Sequence, residues 1–376
     1  MTSSNSTIGV RFKYFLEFIE SCGGEEALRG KTTSEVCEAF VKPRTKTLKA
    51  GGGSLCDLLR ASEATSGLVA PSAWFISHAW SYLFLEVVEA VRLFLEDECG
   101  ERAGEEVVWF DVFSNDQHSV ENRPFDWWTT LYQDFIRSIG SVLMVMQPWD
   151  DPVTLTRAWC VFEAYSCFAT ESRFEVCMTR EERMRFVDMI GEDSDCILKM
   201  LGTVNSSKSS SRNPNDTERI HEAIVRLEGG FTRFDNTLLS NLQRWLLTWL
   251  GRLRDQTTSE EQRLDITNSM ADMHSQSGRY EEAEELYREC LEKRKRVLGP
   301  DHPDTLMTMN NLALNYYDQE KYTEAEELYR ECLESYKRVL GPDHPDTLKT
   351  MNGLAFHYKA QGRYDKAEEL RSAWRK

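Results

Sequence analysis

The feature that most constrains this fold is an internal repeat near the C-terminal end. Two stretches recur unchanged 42 positions later: AEELYRECLE (283–292 and 325–334) and VLGPDHPDTL (297–306 and 339–348). A fixed period of about 20–50 residues is typical of stacked units whose cores form only between neighbours. The sequence therefore predicts a solenoid, and not a single closed core, over this region.

Each repeat has the pattern of two packed helices. Apolar residues spaced i, i+3, i+4 and i+7 predict its second helix: Ala325, Leu328, Tyr329, Cys332, Leu333 and Tyr336. The first helix is predicted in the same way from Leu306, Met309, Leu312, Ala313 and Tyr316. Cys290 and Cys332 occupy the same place in two copies, where a small side chain lets facing helices approach. Gly341 and Pro342 end one helix before the next begins.

The repeats resemble a known family. LGPDHPDTL, NNLA and YEEAEELYRECLE are similar to the 42-residue tetratricopeptide repeats of kinesin light chains, and the resemblance covers about 257–376. It implies an array that binds a protein or peptide partner. Arg371 stands where the other copies have Tyr287 and Tyr329, so we predict about two and a half repeats.

Asparagines recur at the repeat period on the first helix of each hairpin: Asn268, Asn310 and Asn352, with Asn311 beside the second. One hypothesis is a ladder of amides that hydrogen-bonds the backbone of an extended peptide. The alternative is a set of polar residues near the helix–helix seam, each satisfied by a local partner. We favour the ladder, because the family that the repeats resemble binds peptides on this face.

Composition limits the partners of this chain. Its 62 acidic and 45 basic side chains give a net charge of −17, so nucleic acids and anionic membrane surfaces would repel it. No run approaches the ~20 apolar residues that span a bilayer, and the N-terminus lacks the pattern of a secretory signal. The ten cysteines show no Cys-x-x-Cys and no zinc-ligand spacing. We therefore expect a cytoplasmic protein with reduced thiols.

A different pattern precedes the repeats. Short apolar runs alternate with helical stretches, and these runs predict strands at 74–76, 107–110, 142–146 and 174–178, with a fifth near 196–204. This alternation predicts a parallel, doubly wound α/β sheet. The predicted organisation is a helical N-terminal extension (1–70), an α/β domain (71–233), a connecting helix (234–256) and the repeats (257–376).

Ligands of open α/β sheets bind beyond the carboxyl ends of the strands. The side chains expected there are aromatic and polar, and we predict a nucleotide pocket formed by Ser77, His78, Trp80, Asp111 and Trp149. The alternative is that these aromatic residues simply close the end of a small sheet. His78 has no carboxylate or cysteine at ligand spacing, so no metal site is expected.

The same region resembles Toll/interleukin-receptor (TIR) domains, which have a flavodoxin-like fold. FISHA at 75–79 is similar to their opening strand motif, and WCVFE at 159–163 is similar to a W-C-x-x-E stretch on a later helix. The resemblance covers about 71–200 and implies self-association. In the TIR members that cleave NAD+, the glutamate of this W-C-x-x-E stretch is the catalytic residue. The resemblance therefore also implies a catalytic role for Glu163. Trp80 and the loop after the second strand depart from the family pattern.

One carboxylate suffices for that chemistry. Nicotinamide leaves NAD+ as a neutral ring without a general acid, whereas the cationic ribose needs a nearby negative charge. Trp159 lies four residues before Glu163, hence on the same helical face, and would shape the pocket. In the alternative, Trp159 is a core residue and Glu163 is solvated.

The sequence thus favours a signalling or adaptor protein that joins a TIR-like module to a peptide-binding repeat array and requires no cofactor. The first alternative is an NAD+ nucleosidase that the repeats regulate, with NAD+ as its substrate. The second is a kinesin-light-chain-like cargo adaptor. We rank it last, because such an adaptor needs a heptad coiled coil ahead of its repeats and 1–256 shows no heptad pattern.

Overall fold

The computed structural model describes most of the chain, and the described residues are 7–46, 53–118, 133–192 and 196–372. The chain forms two compact units, which we call the α/β unit (1–186 and 196–245) and the repeat unit (187–195 and 246–376). Within the described residues, no helix combines the length and the apolar character needed to cross a lipid bilayer.

The α/β unit alternates strands with helices. Its strands are β1 (Ile8–Arg11), β2 (Val69–Pro71), β3 (Trp74–Ser77), β4 (Val107–Trp109), β5 (Ser141–Val145) and β6 (Arg173–Cys177). Its helices before β5 are α1 (Lys13–Ser21), α2 (Gly24–Leu28), α3 (Thr33–Val36), α4 (Lys42–Thr45), α5 (Leu55–Arg60), α6 (Phe84–Cys99), α7 (Asp111–Ser114) and α8 (133–139). The later helices are α9 (Val153–Thr156), α10 (Ala158–Ala169), α11 (Arg180–Glu192), α12 (Cys196–Leu201), α13 (Pro214–Arg226) and α14 (Gly230–Gln256); the last residues of α11 and of α14 belong to the repeat unit.

One mixed sheet contains these six strands in the order β2-β1-β4-β3-β5-β6. β3 pairs in parallel with both β4 and β5, and β5 pairs in parallel with β6. β1 is antiparallel to both β2 and β4. The structure therefore confirms a sheet domain with a parallel part, whereas the prediction of a purely parallel sheet was wrong.

The N-terminal segment, predicted as a separate helical extension, instead supplies a strand to this sheet. β1 approaches β4 so closely at Gly9 that a Cβ atom there would lie 2.0 Å from the carbonyl oxygen of Val108. Only glycine fits this approach. The four residues of β1 are too few for periodicity to distinguish them from a loop.

Aromatic packing joins α1 to the same core. The rings of Phe15 and Phe18 each lie 4.9 Å from the ring of Phe113, measured between centroids. All three side chains are buried, and full burial of a phenylalanine stabilises a fold by roughly 1.5–3 kcal/mol. The N-terminal segment is thus an integral part of the α/β unit.

The central strands β3, β4 and β5 are buried on both faces, which explains their continuous apolar sequences. Together with β6 they match four of the predicted strands within one or two residues. The fifth predicted strand was wrong, because Cys196–Leu201 forms the helix α12. A short apolar run does not by itself distinguish a strand from a helix.

Within the described part of the repeat unit, residues 260–372 form three helical hairpins. The first contains α15 (Glu260–Gln276) and α16 (Tyr280–Val297), the second α17 (Pro303–Asp318) and α18 (Tyr322–Val339), and the third α19 (Pro345–Ala360) and α20 (Tyr364–Ser372). Each helix packs against the next. The 42-residue period therefore predicted the hairpins correctly.

Two cysteines of the repeat unit contact the backbone of the facing helix. The thiol of Cys290 donates to the carbonyl oxygen of Leu264 (3.4 Å), and that of Cys332 donates to the carbonyl oxygen of Leu306 (3.2 Å). Both side chains are fully buried. Burial raises the pKa of Cys290 to about 11 and that of Cys332 to about 12. Both are packing residues, as their place in the repeat predicts.

Successive hairpins are also joined by a repeated ion pair. Lys321 Nζ lies 2.6 Å from a carboxylate oxygen of Glu284, and Arg363 contacts Glu326 at the same two repeat positions one period later. Exposed pairs of this kind contribute little to stability, because water and salt screen the charges. Apolar packing between hairpins therefore supplies most of the stability of the array.

Candidate functional site

Four of the predicted pocket residues and Glu163 meet at the carboxyl ends of β3 and β4. Ser77 ends β3, Glu163 lies in the middle of α10, and the Ser77 hydroxyl donates to Glu163 Oε2 over 2.6 Å. His78 and Trp80 follow β3, and Asp111 begins α7 just after β4. We call these five residues the strand-end cluster.

Glu163 is buried, with 8% of its surface exposed. Its pKa is raised to about 8, chiefly by burial; the Ser77 hydroxyl opposes this shift, and the nearby Asp111 carboxylate makes a smaller contribution to it. The hydrogen bond from Ser77 favours the charged form of Glu163, but it is weaker than the hydration that the carboxylate loses on burial. Glu163 is therefore mostly protonated at neutral pH, and the alternative of a solvated helix residue is wrong.

Asp111 links the other side chains of the strand-end cluster. The indole nitrogen of Trp80 donates to Asp111 Oδ2 over 2.6 Å, and Oδ1 lies 3.9 Å from Nδ1 of His78. Burial lowers the pKa of His78, although the Asp111 carboxylate opposes the shift. Among the described residues, His78 Nε2 and Asp111 Oδ1 are buried without a hydrogen-bond partner. Two polar atoms at this edge are thus left for a ligand or a rearranged side chain to satisfy.

Sequence reasoning missed two cysteines that border the cluster. The Cys160 thiol donates to the carbonyl oxygen of His78 over 3.4 Å. Cys37, in the π-helical turn Cys37–Val41, is buried, and burial followed by the charge of Asp111 raises its pKa to about 12. Cys160 lies inside the WCVFE motif, but nothing in the sequence indicates that its thiol contacts the backbone of His78.

Two of the predicted pocket residues have other contacts. Trp149 is buried edge-on against Phe186, with ring centroids 4.7 Å apart, and its backbone N–H donates to Glu182. Trp159 is half-buried, and its hydrogen bond to Asp216 lowers the pKa of that carboxyl, which burial as the larger effect raises. Of the three predicted tryptophans, Trp80 contacts the strand-end cluster through its hydrogen bond to Asp111.

No metal centre emerges from this geometry. Within the described residues, no three His, Cys, Asp or Glu side chains lie close enough to hold a metal ion. The cluster can bind through hydrogen bonds and, once Glu163 loses its proton, through one added negative charge.

In the repeat unit, Asn268 does not belong to an exposed ladder. It is 1% exposed, its amide donates to Asp272 Oδ2 (3.0 Å), and its carbonyl oxygen accepts from the Thr308 hydroxyl (3.1 Å). Asn311 likewise donates to Asp272 Oδ1 (3.0 Å). The alternative of local satisfaction is correct for Asn268, because α17 covers it.

The later copies differ from the first. Asn310 is half-buried and its carbonyl oxygen has no hydrogen-bond partner in the described structure, while Asn352 is exposed. Leu314 and Phe356 are exposed one turn further along the same helices. We call Asn310, Leu314, Asn352 and Phe356 the first-helix face. Sequence reasoning missed the two apolar members of this face. They could have been found as apolar residues that recur at the repeat period outside the buried stripe of the first helix.

Comparison with known proteins identifies the repeats. Matches to the tetratricopeptide repeat family cover residues 262–338 and 307–370. The repeat unit therefore contains tetratricopeptide repeats and is a protein-interaction module. A nucleotide-binding leucine-rich repeat (NLR)-like protein of Hyaloscypha variabilis is 47% identical over 52 residues, which are 14% of this chain and 5% of that protein. The chain thus matches only a small part of this relative's length.

Two solved structures are similar at low identity. One is a Podosopora anserina protein assigned as a kinesin light chain, with nearly identical TPR-like repeats. It is 20% identical over 52% of this chain and 90% of its own, with a TM-score of 0.32. The other is BtubC (BKLC) from P. vanneervenii, 18% identical over 67% of this chain and 92% of its own, with a TM-score of 0.29.

The raised pKa of Glu163 predicts a pH-dependent stability. The group binds its proton more tightly in the folded state, so the resulting stabilisation is complete below about pH 4.5 and is lost as the pH rises to about 8. Glu163→Gln keeps an acceptor for Ser77 and removes the titration. Relative to this variant, the wild-type free energy of unfolding should fall by roughly 1 kcal/mol per pH unit in this interval. Urea denaturation followed by tryptophan fluorescence measures the difference, and a difference independent of pH would contradict the burial of Glu163.

Two asparagines that lie two periods apart should respond differently to alanine. Asn268→Ala removes the buried amide that donates to Asp272 and the oxygen that accepts from Thr308, and should cost about 1–3 kcal/mol of stability. Asn352→Ala removes an exposed amide and should change stability by less than about 0.5 kcal/mol. Thermal denaturation followed by circular dichroism compares the two variants, and equal losses would show that both side chains are buried in the seam.

Proposed function

We propose that this protein is a signalling adaptor, in which the repeat unit binds a peptide segment of a partner protein and the α/β unit is a TIR-like module that self-associates. The observation that carries the proposal is the first-helix face of the tetratricopeptide repeats. An apolar side chain and an amide are paired there on α17 and again on α19. Peptide grooves combine these two chemistries, because amides bind the backbone and apolar surfaces bind side chains.

The sheet supports the TIR-like part of the proposal. Counted along the chain, the parallel strands β3, β4, β5 and β6 have the spatial order 2-1-3-4, as in flavodoxin-like sheets. The FISHA motif ends at the carboxyl edge of β3, and WCVFE lies on α10, so both motifs border the strand-end cluster. A cytoplasmic location is supported by the ten cysteines, all of which are free thiols.

Peptide selection tests the repeat unit. We would select a phage-displayed random peptide library on the full chain and measure the affinity of a selected peptide by fluorescence polarisation. Asn310→Ala and Phe356→Ser should each weaken binding about 5- to 30-fold, as expected for a lost hydrogen bond or apolar contact worth about 1–2 kcal/mol.

Val339→Ser is the matched control, because Val339 is exposed at the end of a second helix and lies off the first-helix face. It should leave the affinity unchanged. Peptides that bind equally well to all three variants would place the binding surface elsewhere on the chain.

One contact favours a second function, that of an NAD+ nucleosidase. The Ser77–Glu163 hydrogen bond places the implied catalytic carboxyl at the edge of the sheet where α/β proteins bind ligands. Glu163 is buried and mostly protonated in this arrangement. Activity therefore requires Glu163 to lose its proton and reach the ribose, a change that self-association of the α/β unit would have to supply.

An NAD+ assay at high protein concentration tests this second function. The wild-type chain should release nicotinamide, with a rate that rises towards pH 8 as Glu163 ionises, and Glu163→Gln should lower turnover by ~10²–10³. Glu171→Gln, an exposed glutamate just after the same helix, should not change it. Intact NAD+ with the concentrated wild-type chain would refute the nucleosidase and leave the adaptor proposal standing.

A further inference from the structure

The third hairpin differs from the other two at one buried position. His357 of α19 is 1% exposed, and one and two periods earlier the chain has Asn315 and Met273, both buried as well. Asn315 donates its amide to the backbone oxygen of Tyr280 at the start of α16, over 3.0 Å. The position thus lies on the seam between a hairpin and the one before it, and only the third copy places a titratable side chain there.

Four tyrosine rings surround the imidazole of His357. Those of Tyr317, Tyr322, Tyr329 and Tyr358 have centroids 5.8, 5.9, 6.3 and 6.0 Å from it. Three of them belong to the second hairpin, on α17 and α18, so His357 is wedged between the second and third hairpins. Gln361 Nε2 lies 3.0 Å from Nε2 of His357, and a hydrogen bond to the backbone of Tyr322 favours the charged form, although burial has the larger effect.

A charged imidazole would find no free counterion at this seam. Glu326 of α18 attracts a positive charge on His357, and Arg363 ahead of α20 repels it. Both oxygens of Glu326 already accept hydrogen bonds from Arg363, and the Tyr358 hydroxyl donates to Oε1 (3.0 Å). Lys366 of α20 also lies 4.0 Å from this carboxylate. An imidazolium here would be buried, and the charge of the Glu326 carboxylate is already balanced by Arg363 and Lys366.

We propose that protonation of His357 loosens the third hairpin from the second, so that the repeat unit carries an acid-sensitive switch at the seam between these two hairpins. This inference goes beyond the proposed peptide binding and does not depend on it. Exposed Asn352 and Phe356 lie on the same helix as His357. Loosening of α19 therefore also disturbs half of the first-helix face.

The direction of the effect follows from burial. Burial lowers the pKa of His357 below its ordinary value near 6.5. The unfolded or loosened hairpin takes up a proton more readily than the packed one, so the seam is stable above about pH 6.5 and weakens as the pH falls below it. The linked equilibrium changes by at most about tenfold per pH unit.

Hydrogen exchange on the full chain tests the switch. We would measure amide protection factors, corrected for intrinsic exchange rates, at pH 7.5 and 5.5. In the wild type, protection of α19 and α20 should fall about tenfold at pH 5.5, whereas protection of α16 should not. His357→Asn, which introduces the side chain of Asn315, should abolish the loss in α19 and α20.

His344→Asn is the matched control, because His344 caps the same helix, is half-exposed and keeps an acceptor for its cap as asparagine. It should retain the wild-type loss. Each variant is compared with itself at the two pH values, so a general loss of stability does not affect the result. If His357→Asn unfolds, His357→Gln is used in its place. Unchanged wild-type protection, or an equal loss in His357→Asn, would overturn the proposal.

Discussion

Loss of water governs the buried polar groups of this protein, because a group that leaves water must find a partner or change its charge. In the α/β unit, burial outweighs the Ser77 hydrogen bond and raises the pKa of Glu163. In the repeat unit, burial raises the pKa of Asp265 to about 6, although Arg294 lies 2.5 Å away. The same force lowers the pKa of His357. Both units therefore hold titratable groups whose pKa values differ from those of exposed groups of the same type.

The repeats show how nearly identical sequence can serve different purposes. At one repeat position the chain has Asp272, Leu314 and Phe356. Asp272 is buried and accepts hydrogen bonds from Asn268 and other side chains, while the two apolar residues are exposed. The second helices that carry AEELYRECLE keep the stack together, and the first helices carry the differences. The copies therefore differ on the exposed part of their first helices.

The strand-end cluster depends on a segment that is remote in sequence. Gly9 lets β1 approach β4, α1 covers the aromatic core below Asp111, and the π-helical turn brings Cys37 close enough for the charge of Asp111 to affect its pKa. Removal of residues 1–70 would expose the side of the sheet that the predicted domain boundary leaves bare. The folding unit is larger than the region that resembles TIR domains.

The sequence by itself determined the 42-residue hairpin, the packing role of Cys290 and four strands of the sheet, because periodicity and turn residues act over a few neighbouring positions. It also placed Ser77, His78 and Asp111 at one edge, since parallel strands end together. Only the tertiary structure decided that Ser77 bonds Glu163, 86 positions away, and that Asn268 is buried while Asn352 is exposed. Burial depends on what other elements pack against a residue, and no local pattern records that.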